Sequence, residues 1–558
     1  MAADELPPTE RTIAIANIFS HFHNPAKETV LTPWRVVNLH LSDTLGGWCF
    51  YDEDFRENEE TYYHRLQQPR FVDQGEVTAK TLCNPDAKIL EINSKSGLYP
   101  LYAAYSLYRT ILGERTESSM LPQQLYDIWD EAALHVYVLC QSSMAAAITR
   151  HTLFGFRDVK THIRYDEKLL DSLNTSIQDT TKVIQKGSYW KEGATTMKFD
   201  AIIGNPPYQA ITGGGSEVTA AAQAKPIFQL FVQQGKMLNP QFLSMIIPAR
   251  WYNGGIGLND FRSEMLKDRQ IVELVDYSNS KELFPTVDIA GGICYFLWQA
   301  MYDGECNIVN TLAGSRSELK RSLDQFGDFF IRSNAAISII DKVKSKSSSF
   351  VSDMVSAIDT FGIPSKEKGH SEYNDGDVLL LHSTGANSQG VDYVSRSSVT
   401  KNSHLINKFK IKISILVPQN GEVGVAYEKG YRSISTPQIL YPGTVDSFSY
   451  LNIGFFDTEE EAINFRGFMT CKFPRFMMRA TYSSVHISKS NFIFVPMMDF
   501  TKTWSDEKLY NYFGLSEDEK SLIEKTMRPF VLEKDDIGKE FYEEHIRQTG
   551  EAHGRNQD

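Results

Sequence analysis

Short apolar runs alternate with helical stretches along the first 340 residues of this chain. A strand that is buried on both faces reads as a continuous apolar run, and strands that alternate with helices form parallel sheets. The sequence therefore predicts an α/β fold with a doubly wound, mostly parallel sheet. Ligands of such sheets bind outside the carboxyl ends of the strands. The apolar runs lie at 88–92, 135–140, 199–204, 242–248, 271–277 and 292–298.

The pattern of apolar runs and helical stretches changes after residue 350. Short apolar runs follow one another with Gly, Asn, Ser and Pro between them, and a single helical pattern starts at Glu459. This pattern predicts a second, mixed and strand-rich domain, followed by an acidic helical tail. The expected strands are 377–383, 410–418, 424–435 and 492–496, and the expected organisation is an N-terminal helical arm at 1–30, a catalytic domain at 31–340, a second domain at 350–500 and a tail at 501–558.

Composition narrows the class of protein. No apolar run reaches the roughly 18 residues that span a bilayer, and the first residues have no apolar core of a secretory signal, so we expect a cytoplasmic protein with no membrane partner. The six cysteines include no CxxC pair and none is at zinc-ligand spacing, so we expect no metal site. The net charge of −13 does not itself favour nucleic acid.

The sharpest local signal is Asn205-Pro206-Pro207-Tyr208, directly after an apolar strand pattern. Two prolines fix the backbone and remove two N–H donors, which leaves carbonyl groups free to accept. The amide oxygen of Asn205 and the carbonyl of Pro206 could accept both hydrogens of an exocyclic amine. Tyr208 offers a flat face on which the ring that carries the amine could stack. The motif therefore indicates chemistry on an amino group.

At these residues the chain resembles the S-adenosylmethionine-dependent amino-methyltransferases. Within them it is similar to the gamma class of adenine DNA methyltransferases from bacterial restriction–modification systems. Members have a Thr-Pro segment, a cofactor loop, the Asn-Pro-Pro-Tyr site and a target-recognition domain, in that order. Residues 31–34 (LTPW) and 88–97 (KILEINSKSG) look like the first two parts, and the order holds over roughly residues 25–500.

The resemblance implies a Rossmann-like catalytic domain that methylates N6 of an adenine flipped out of double-stranded DNA, in restriction or phage defence. It implies S-adenosylmethionine as cofactor, and DNA as partner, with a nuclease or helicase subunit as a further partner that the family allows. The implied catalytic residues are those of the Asn-Pro-Pro-Tyr motif. The implied cofactor residues are Thr32, Pro33, Glu91, Asn93, Ser94 and Gly97, and the candidate DNA contacts are Phe284, Lys408, Lys410, Lys412, Arg475, Arg479 and His486.

The cofactor loop departs from the family pattern. Lys95 stands where a glycine normally permits a close backbone approach, and the apolar run at 135–140 is followed by Gln141 instead of the acid that usually holds ribose hydroxyls. This departure leaves open a second class of function, a methyltransferase-fold DNA-binding subunit with weak or no activity.

Another alternative keeps the chemistry and changes the substrate. Asn-Pro-Pro-Tyr also serves enzymes that methylate RNA or protein glutamine. The strand-rich region at 350–500 favours DNA, because a separate domain must read base edges and contact phosphates.

Overall fold

The computed structural model describes residues 2–22, 31–55, 68–209, 225–252, 257–287, 289, 291–312, 315–385, 388–418, 429–482, 486–532 and 536–549. The chain folds as two compact units, Met1–Asp328 and Phe329–Asp558. The second unit starts before residue 340, the expected end of the catalytic domain, and it contains the helix Asn334–Lys346. No helix among the described residues is long and apolar enough to cross a bilayer.

The first unit is built on a nine-stranded sheet with the order β11-β10-β8-β9-β7-β6-β3-β4-β5. Its strands β5, β4, β3, β6 and β7 are parallel, and β9 runs antiparallel between β7 and β8. β1 and β2 form a separate antiparallel pair. The strands are β1 Gly47–Cys49, β2 Arg70–Val72, β3 Ile89–Ile92, β4 Val136–Cys140, β5 Ile163–Tyr165, β6 Ala201–Gly204, β7 Phe242–Pro248, β8 Ile271–Tyr277, β9 Ile293–Gln299, β10 Cys306–Leu312 and β11 Ser315–Arg321.

The prediction of a mostly parallel α/β sheet is confirmed, and all six apolar runs form strands of it. Every residue of β3, β4, β6 and β7 is buried, which explains why these strands read as continuous apolar runs. The helices of this unit are Pro8–Ser20, Trp34–Thr44, Glu76–Lys80, Leu98–Leu112, Pro122–Leu134, Ser143–Phe154, Leu169–Thr175, Ile177–Ile184, Phe228–Met237 and Asn259–Lys267.

The second unit has two three-stranded sheets, in the orders β13-β12-β16 and β15-β14-β17, with helices around them. Its helices near the C-terminus pack inside the unit, since Lys342 pairs with Glu519 at 2.6 Å and the rings of Phe473 and Phe513 stack at 5.2 Å. The strands are β12 Asp377–Gly385, β13 Ser388–Ser395, β14 Phe409–Ser414, β15 Gln438–Leu440, β16 Thr444–Asp446 and β17 Tyr450–Phe456; the helices are Asn334–Lys346, Glu459–Thr470, Lys472–Arg479, Asp506–Phe513, Glu517–Thr526 and Lys539–Thr549.

Several local predictions in this unit were wrong. The single helix expected from Glu459 is two helices, because Pro474 has no N–H and its ring would clash with the carbonyl four residues earlier. Asp506 caps the second helix, accepting from the backbone N–H groups of Lys472 at 3.0 Å and Phe473 at 2.8 Å. Residues 492–496 form the end of a 3-10 helix, a turn, a bend and an isolated bridge from Pro496 to Phe350, not a strand. Of the strand expected at 424–435, residues 424–428 lie outside the described residues and 429–435 form no strand.

Candidate active site at the carboxyl edge of the sheet

A buried carboxyl group lies near the end of β3, just before the loop that follows the strand. Glu91 lies in β3, and its Oε2 is buried without a hydrogen-bond partner among the described residues. Asn93 follows in the left-handed region with φ 73°, and its buried Nδ2 likewise has no partner. A buried polar atom without a partner is costly in free energy, so these two atoms are suited to a ligand with both donors and acceptors.

The rest of this loop packs on the helix Ser143–Phe154. The Ser94 hydroxyl is 3.2 Å from the Thr149 hydroxyl, and Thr152 donates to the Ser96 carbonyl at 2.8 Å. Gly97 has φ 79°, and a Cβ added there would lie 3.0 Å from the Thr149 Cα. Glycine is therefore required at this position on both conformational and steric grounds.

Burial shifts the pKa values of Glu91 and Lys95 in opposite directions. Burial raises the pKa of Glu91 to about 8, although Ser94 and Lys95 oppose the shift. Burial lowers the pKa of Lys95 to about 8, and Glu91 opposes that shift. Lys95, which replaces the expected glycine, thus acts electrostatically on the carboxylate that the resemblance assigns to the cofactor.

The Asn205 side chain is oriented by a residue far away in the sequence. Asn205 follows β6, is 5% exposed, and its Nδ2 donates to the Thr32 hydroxyl at 2.9 Å. Because the amide nitrogen is engaged, the amide oxygen is left for another donor, and it is buried without a partner among the described residues. Pro33, next to Thr32, is exposed and precedes the helix Trp34–Thr44.

A chain of buried hydrogen bonds holds that helix against the sheet. The Ser244 hydroxyl donates to Thr44 at 2.9 Å, and the Thr44 hydroxyl donates to the His40 carbonyl. The Ser244 oxygen therefore accepts from His40 Nε2, at 2.8 Å, and His40 Nδ1 accepts from the Tyr99 hydroxyl, also at 2.8 Å. Burial lowers the pKa of His40 to about 3, so the ring stays neutral and acts as a structural link. No motif in the sequence marks these residues.

The two loops meet at Gly204. A Cβ at this glycine would lie 3.4 Å from Glu91 Cγ and 4.0 Å from Glu91 Oε1. Gly204 immediately precedes Asn205, so the carboxylate of β3 and the amide after β6 are close to each other. The structure thus brings together Thr32, Glu91 and Asn205, three residues that are distant in the sequence.

Tyr208 closes the motif at the same edge of the sheet. Its side chain is buried, its hydroxyl has no hydrogen-bond partner among the described residues, and its carbonyl accepts from the Ile227 N–H at 3.3 Å. Burial, with a smaller contribution from the Cys294 thiol, holds the pKa of the hydroxyl well above its usual range. Tyr208 is therefore a neutral aromatic ring, which suits stacking rather than proton transfer.

Phe284 and Asp166 also lie beyond strand ends. Phe284 follows β8, is buried, and its N–H donates to the Ser280 carbonyl at 2.8 Å. Asp166 follows β5, and its N–H donates to the Cys140 carbonyl at the end of β4, at 2.9 Å. Sequence analysis missed Asp166 because β5 has only three residues, none of them buried. Asp166 places an acid at the carboxyl edge of the sheet, where Gln141 follows β4 in place of the acid that the family has there.

The structure contradicts the prediction that Lys410 and Arg475 contact DNA. Lys410 is fully buried, and its ammonium donates to main-chain carbonyls at 405, 406, 408 and 441. Arg475 is also fully buried, and its guanidinium donates to carbonyls of Thr470, Cys471, Arg432 and Arg528. Both side chains stabilise the fold, because their buried charged groups have hydrogen-bond acceptors inside the unit. Neither can contact DNA from these positions.

The other four candidates differ in exposure. Lys412 is buried, with its ammonium 4.4 Å from the Tyr450 ring centroid. Lys408 forms an ion pair with Asp457 and is half-buried. The Arg479 guanidinium lies over the Tyr431 ring at 3.2 Å, and His486 is exposed. Lys408, Arg479 and His486 therefore remain candidates for DNA contact.

The buried Asp446 near Lys410 gives a testable pH effect. Burial raises the pKa of Asp446 to about 7 from an ordinary value of 3.8, although Asn452 donates to its carboxylate at 2.8 Å. The pKa of Asp446 is higher in the folded protein than in the unfolded one. Its contribution to the free energy of unfolding is therefore full below pH 4 and is lost as the pH rises to 7. In wild type, the free energy of unfolding should fall by up to about 1.4 kcal/mol per pH unit over this range. Asp446→Asn should abolish that fall.

Urea unfolding of the full chain between pH 4.5 and 7 measures this effect as the difference between variant and wild type. Asp375→Asn, at an exposed site of the same unit, is the matched control. Parallel stability profiles for Asp446→Asn and wild type would contradict the prediction.

Part of this site lies in a segment that matches a known family. Residues 135–284, which include β4 to β8 and the Asn-Pro-Pro-Tyr motif, match the family described as Eco57I restriction-modification methylase. A stretch of 126 residues, 22% of the chain, is 45% identical to an uncharacterized adenine-specific methylase of Mycoplasma pneumoniae. The chain spans only 29% of the length of that relative.

Two solved restriction-modification enzymes resemble the chain at low sequence identity. One is the ATP-dependent Type ISP enzyme LlaBIII bound to DNA, with a TM-score of 0.40 and 12% identity over 80% of this chain and 36% of that one. The other is the Type IIL enzyme MmeI in complex with DNA, with a TM-score of 0.39 and 9% identity over 74% of this chain and 62% of that one.

Proposed function

We propose that this chain, whose residues 135–284 match the Eco57I restriction-modification methylase family, methylates N6 of adenine in a specific sequence of double-stranded DNA. The observation that carries the proposal is the buried amide oxygen of Asn205, which has no partner among the described residues and is oriented by Thr32. S-adenosylmethionine is the methyl donor that we assign to the cofactor loop. The bacterial cytoplasm is the expected location, and a separate nuclease or helicase subunit is a candidate further partner.

The residues after β3 fit this cofactor. Glu91 Oε2 could accept from an ammonium group, and Asn93 Nδ2 could donate to a carboxylate, which are the two ends of an amino acid. When bound, the cofactor supplies an electrophilic methyl group. Lys95 and Gly97 then set the charge and the width of the loop around it.

The residues after β6 fit an adenine amine. Asn205 Oδ1 and the Pro206 carbonyl accept the two amine hydrogens, which draws the nitrogen toward a tetrahedral shape with a free lone pair. Tyr208 stacks on the purine, and this contact offsets part of the few kcal/mol that flipping a base out of the duplex costs. Acceleration comes from positioning and from fixed dipoles, with no covalent intermediate on the protein.

The first experiment maps N6-methyladenine in genomic DNA from a methylation-free host that expresses the chain. A single sequence motif methylated only in expressing cells would support the proposed activity and identify the target. The absence of the mark would contradict the proposal and would turn attention to RNA, to protein glutamine, or to a subunit without activity.

Replacing Thr32 by valine tests how Asn205 is oriented. Valine keeps the shape and removes the hydroxyl that accepts from Asn205 Nδ2, so the amide is free to rotate. One hydrogen bond is worth about 1.4 kcal/mol, so we expect kcat for methyl transfer to fall about tenfold. The affinity for S-adenosylmethionine, measured by calorimetry, should change less than twofold.

Thr32→Ser is the matched control, because it keeps the hydroxyl, and it should retain most of the rate. A loss of cofactor affinity in Thr32→Val with an unchanged kcat would instead support the family's assignment of this threonine to the cofactor.

A further inference from the structure

Arg250 is a half-buried cation at the same edge of the sheet as the proposed active site. It follows β7, and its Nε and Nη2 atoms are buried without a hydrogen-bond partner among the described residues. Burial lowers the pKa of the guanidinium below its ordinary value. Buried guanidinium nitrogens without an acceptor are costly in free energy, so this group is suited to an anion that arrives with a ligand.

The surroundings of Arg250 connect it to Tyr208. Its guanidinium carbon lies 5.9 Å from the Phe228 ring centroid. Ile227, next to Phe228, donates its N–H to the Tyr208 carbonyl at 3.3 Å. The Arg250 backbone is also closely packed, since a Cβ at Gly291 would lie 3.4 Å from the Arg250 Cβ. The side chain therefore extends from a well-packed backbone near the residues that follow the Asn-Pro-Pro-Tyr motif.

The strand order decides which anion Arg250 can meet. β6 lies between β3 and β7, so the Asn-Pro-Pro-Tyr motif stands between the cofactor loop and Arg250. Neighbouring strands are about 4.8 Å apart, which puts the ends of β3 and β7 about 10 Å from each other. A cofactor carboxylate is attached to the same carbon as the ammonium assigned to Glu91, so it belongs to the β3 side. The target nucleotide approaches the motif with a phosphate on each side of its sugar.

We propose that Arg250 binds a phosphate of the nucleotide whose adenine enters the site, and so positions that base against Tyr208 and Asn205. This inference rests on the proposed function and names an additional positioning residue for it. Arginine suits the task because its planar guanidinium can give two parallel hydrogen bonds to a phosphate. The contact forms only when the nucleotide has left the duplex, so it favours the flipped state over the stacked one.

The test compares adenine nucleotides with the nucleoside. The full chain, saturated with S-adenosylhomocysteine, is titrated with deoxyadenosine, its 3′-monophosphate and its 5′-monophosphate, and the dissociation constants are measured by ligand-observed NMR. In wild type we expect one monophosphate to bind at least tenfold more tightly than the nucleoside. Arg250→Met should reduce that ratio to about one, and Arg250→Lys should give an intermediate ratio. A merely structural role of Arg250 would weaken nucleoside and nucleotide alike and leave the ratio unchanged.

Arg262→Met is the matched control, since Arg262 lies on the helix Asn259–Lys267 and donates to Asn259 at 2.9 Å. It should leave the ratio at its wild-type value. An unchanged ratio in Arg250→Met, or a loss of S-adenosylhomocysteine affinity in its place, would overturn the inference while leaving adenine methylation standing. If wild type bound the nucleoside and the nucleotides equally well, the inference about Arg250 would be overturned, and adenine methylation would still stand. Wild type that binds none of the three would overturn the inference together with the proposed function.

Discussion

Replacing Asn205 by alanine should reduce methyl transfer by about 10²- to 10³-fold, the usual effect of removing one fixed polar group that acts on the reacting atom. The variant loses the amide oxygen to which we assign the adenine amine, while Thr32 and the cofactor loop should keep their places. Single-turnover methylation of DNA carrying the mapped motif measures the rate. Calorimetry with S-adenosylmethionine should give an affinity close to that of wild type.

Asn174→Ala is the matched control for this variant. Asn174 is exposed, and its amide only donates to the Leu170 carbonyl at 3.0 Å, so methylation should stay at the wild-type rate. A rate for Asn205→Ala within threefold of wild type would remove Asn205 from the mechanism and leave the Asn-Pro-Pro-Tyr motif as a rigid turn.

Glu91 should make cofactor binding dependent on pH. Its pKa in the free protein is raised to about 8 by burial, so below pH 8 the carboxyl is mostly neutral. An ammonium group binds the ionised form, so binding must release a proton. The affinity for S-adenosylmethionine should therefore rise with pH between 6 and 8, by up to tenfold per unit. Glu91→Gln should bind about 10- to 100-fold more weakly at pH 8 and lack this slope.

Calorimetry in buffers of different ionisation enthalpy counts the released proton directly. Glu131→Gln, on the exposed face of the helix Pro122–Leu134, should behave as wild type. Equal slopes for Glu91→Gln and wild type would show that another group, such as Lys95, is responsible for the pH dependence.

The catalytic sheet could be predicted from the sequence because its strands are buried on both faces. β6 and β7 are runs in which every residue is buried, and the turn residues after β6 have few conformations open to them. β5 escaped prediction because none of its three residues is buried, so no apolar pattern marked it. Asp166 was missed for the same reason.

The pattern of basic residues predicted the DNA contacts less well than the apolar runs predicted the strands. A basic residue in the sequence does not show whether its charged group is exposed or buried. Lys410 and Arg475 read as parts of a basic surface, but both satisfy main-chain carbonyls inside the second unit. The break before Pro474 was visible in the sequence as a proline within a helical pattern, and the capping carboxylate of Asp506 was not, because it comes from 33 residues further along. Contacts of this kind depend on tertiary structure.

The hydrogen bond between Thr32 and Asn205 joins positions 173 residues apart. A gene rearrangement that exchanged the segment before β3 for one from another protein would leave every letter of the Asn-Pro-Pro-Tyr motif intact. The hybrid would still be recognised by its motif, yet the amide of its asparagine would have lost the hydroxyl group that orients it here. Inheritance of the motif and inheritance of a working active site are therefore separable in this architecture, and the upstream threonine is what a genome survey should require beside the motif.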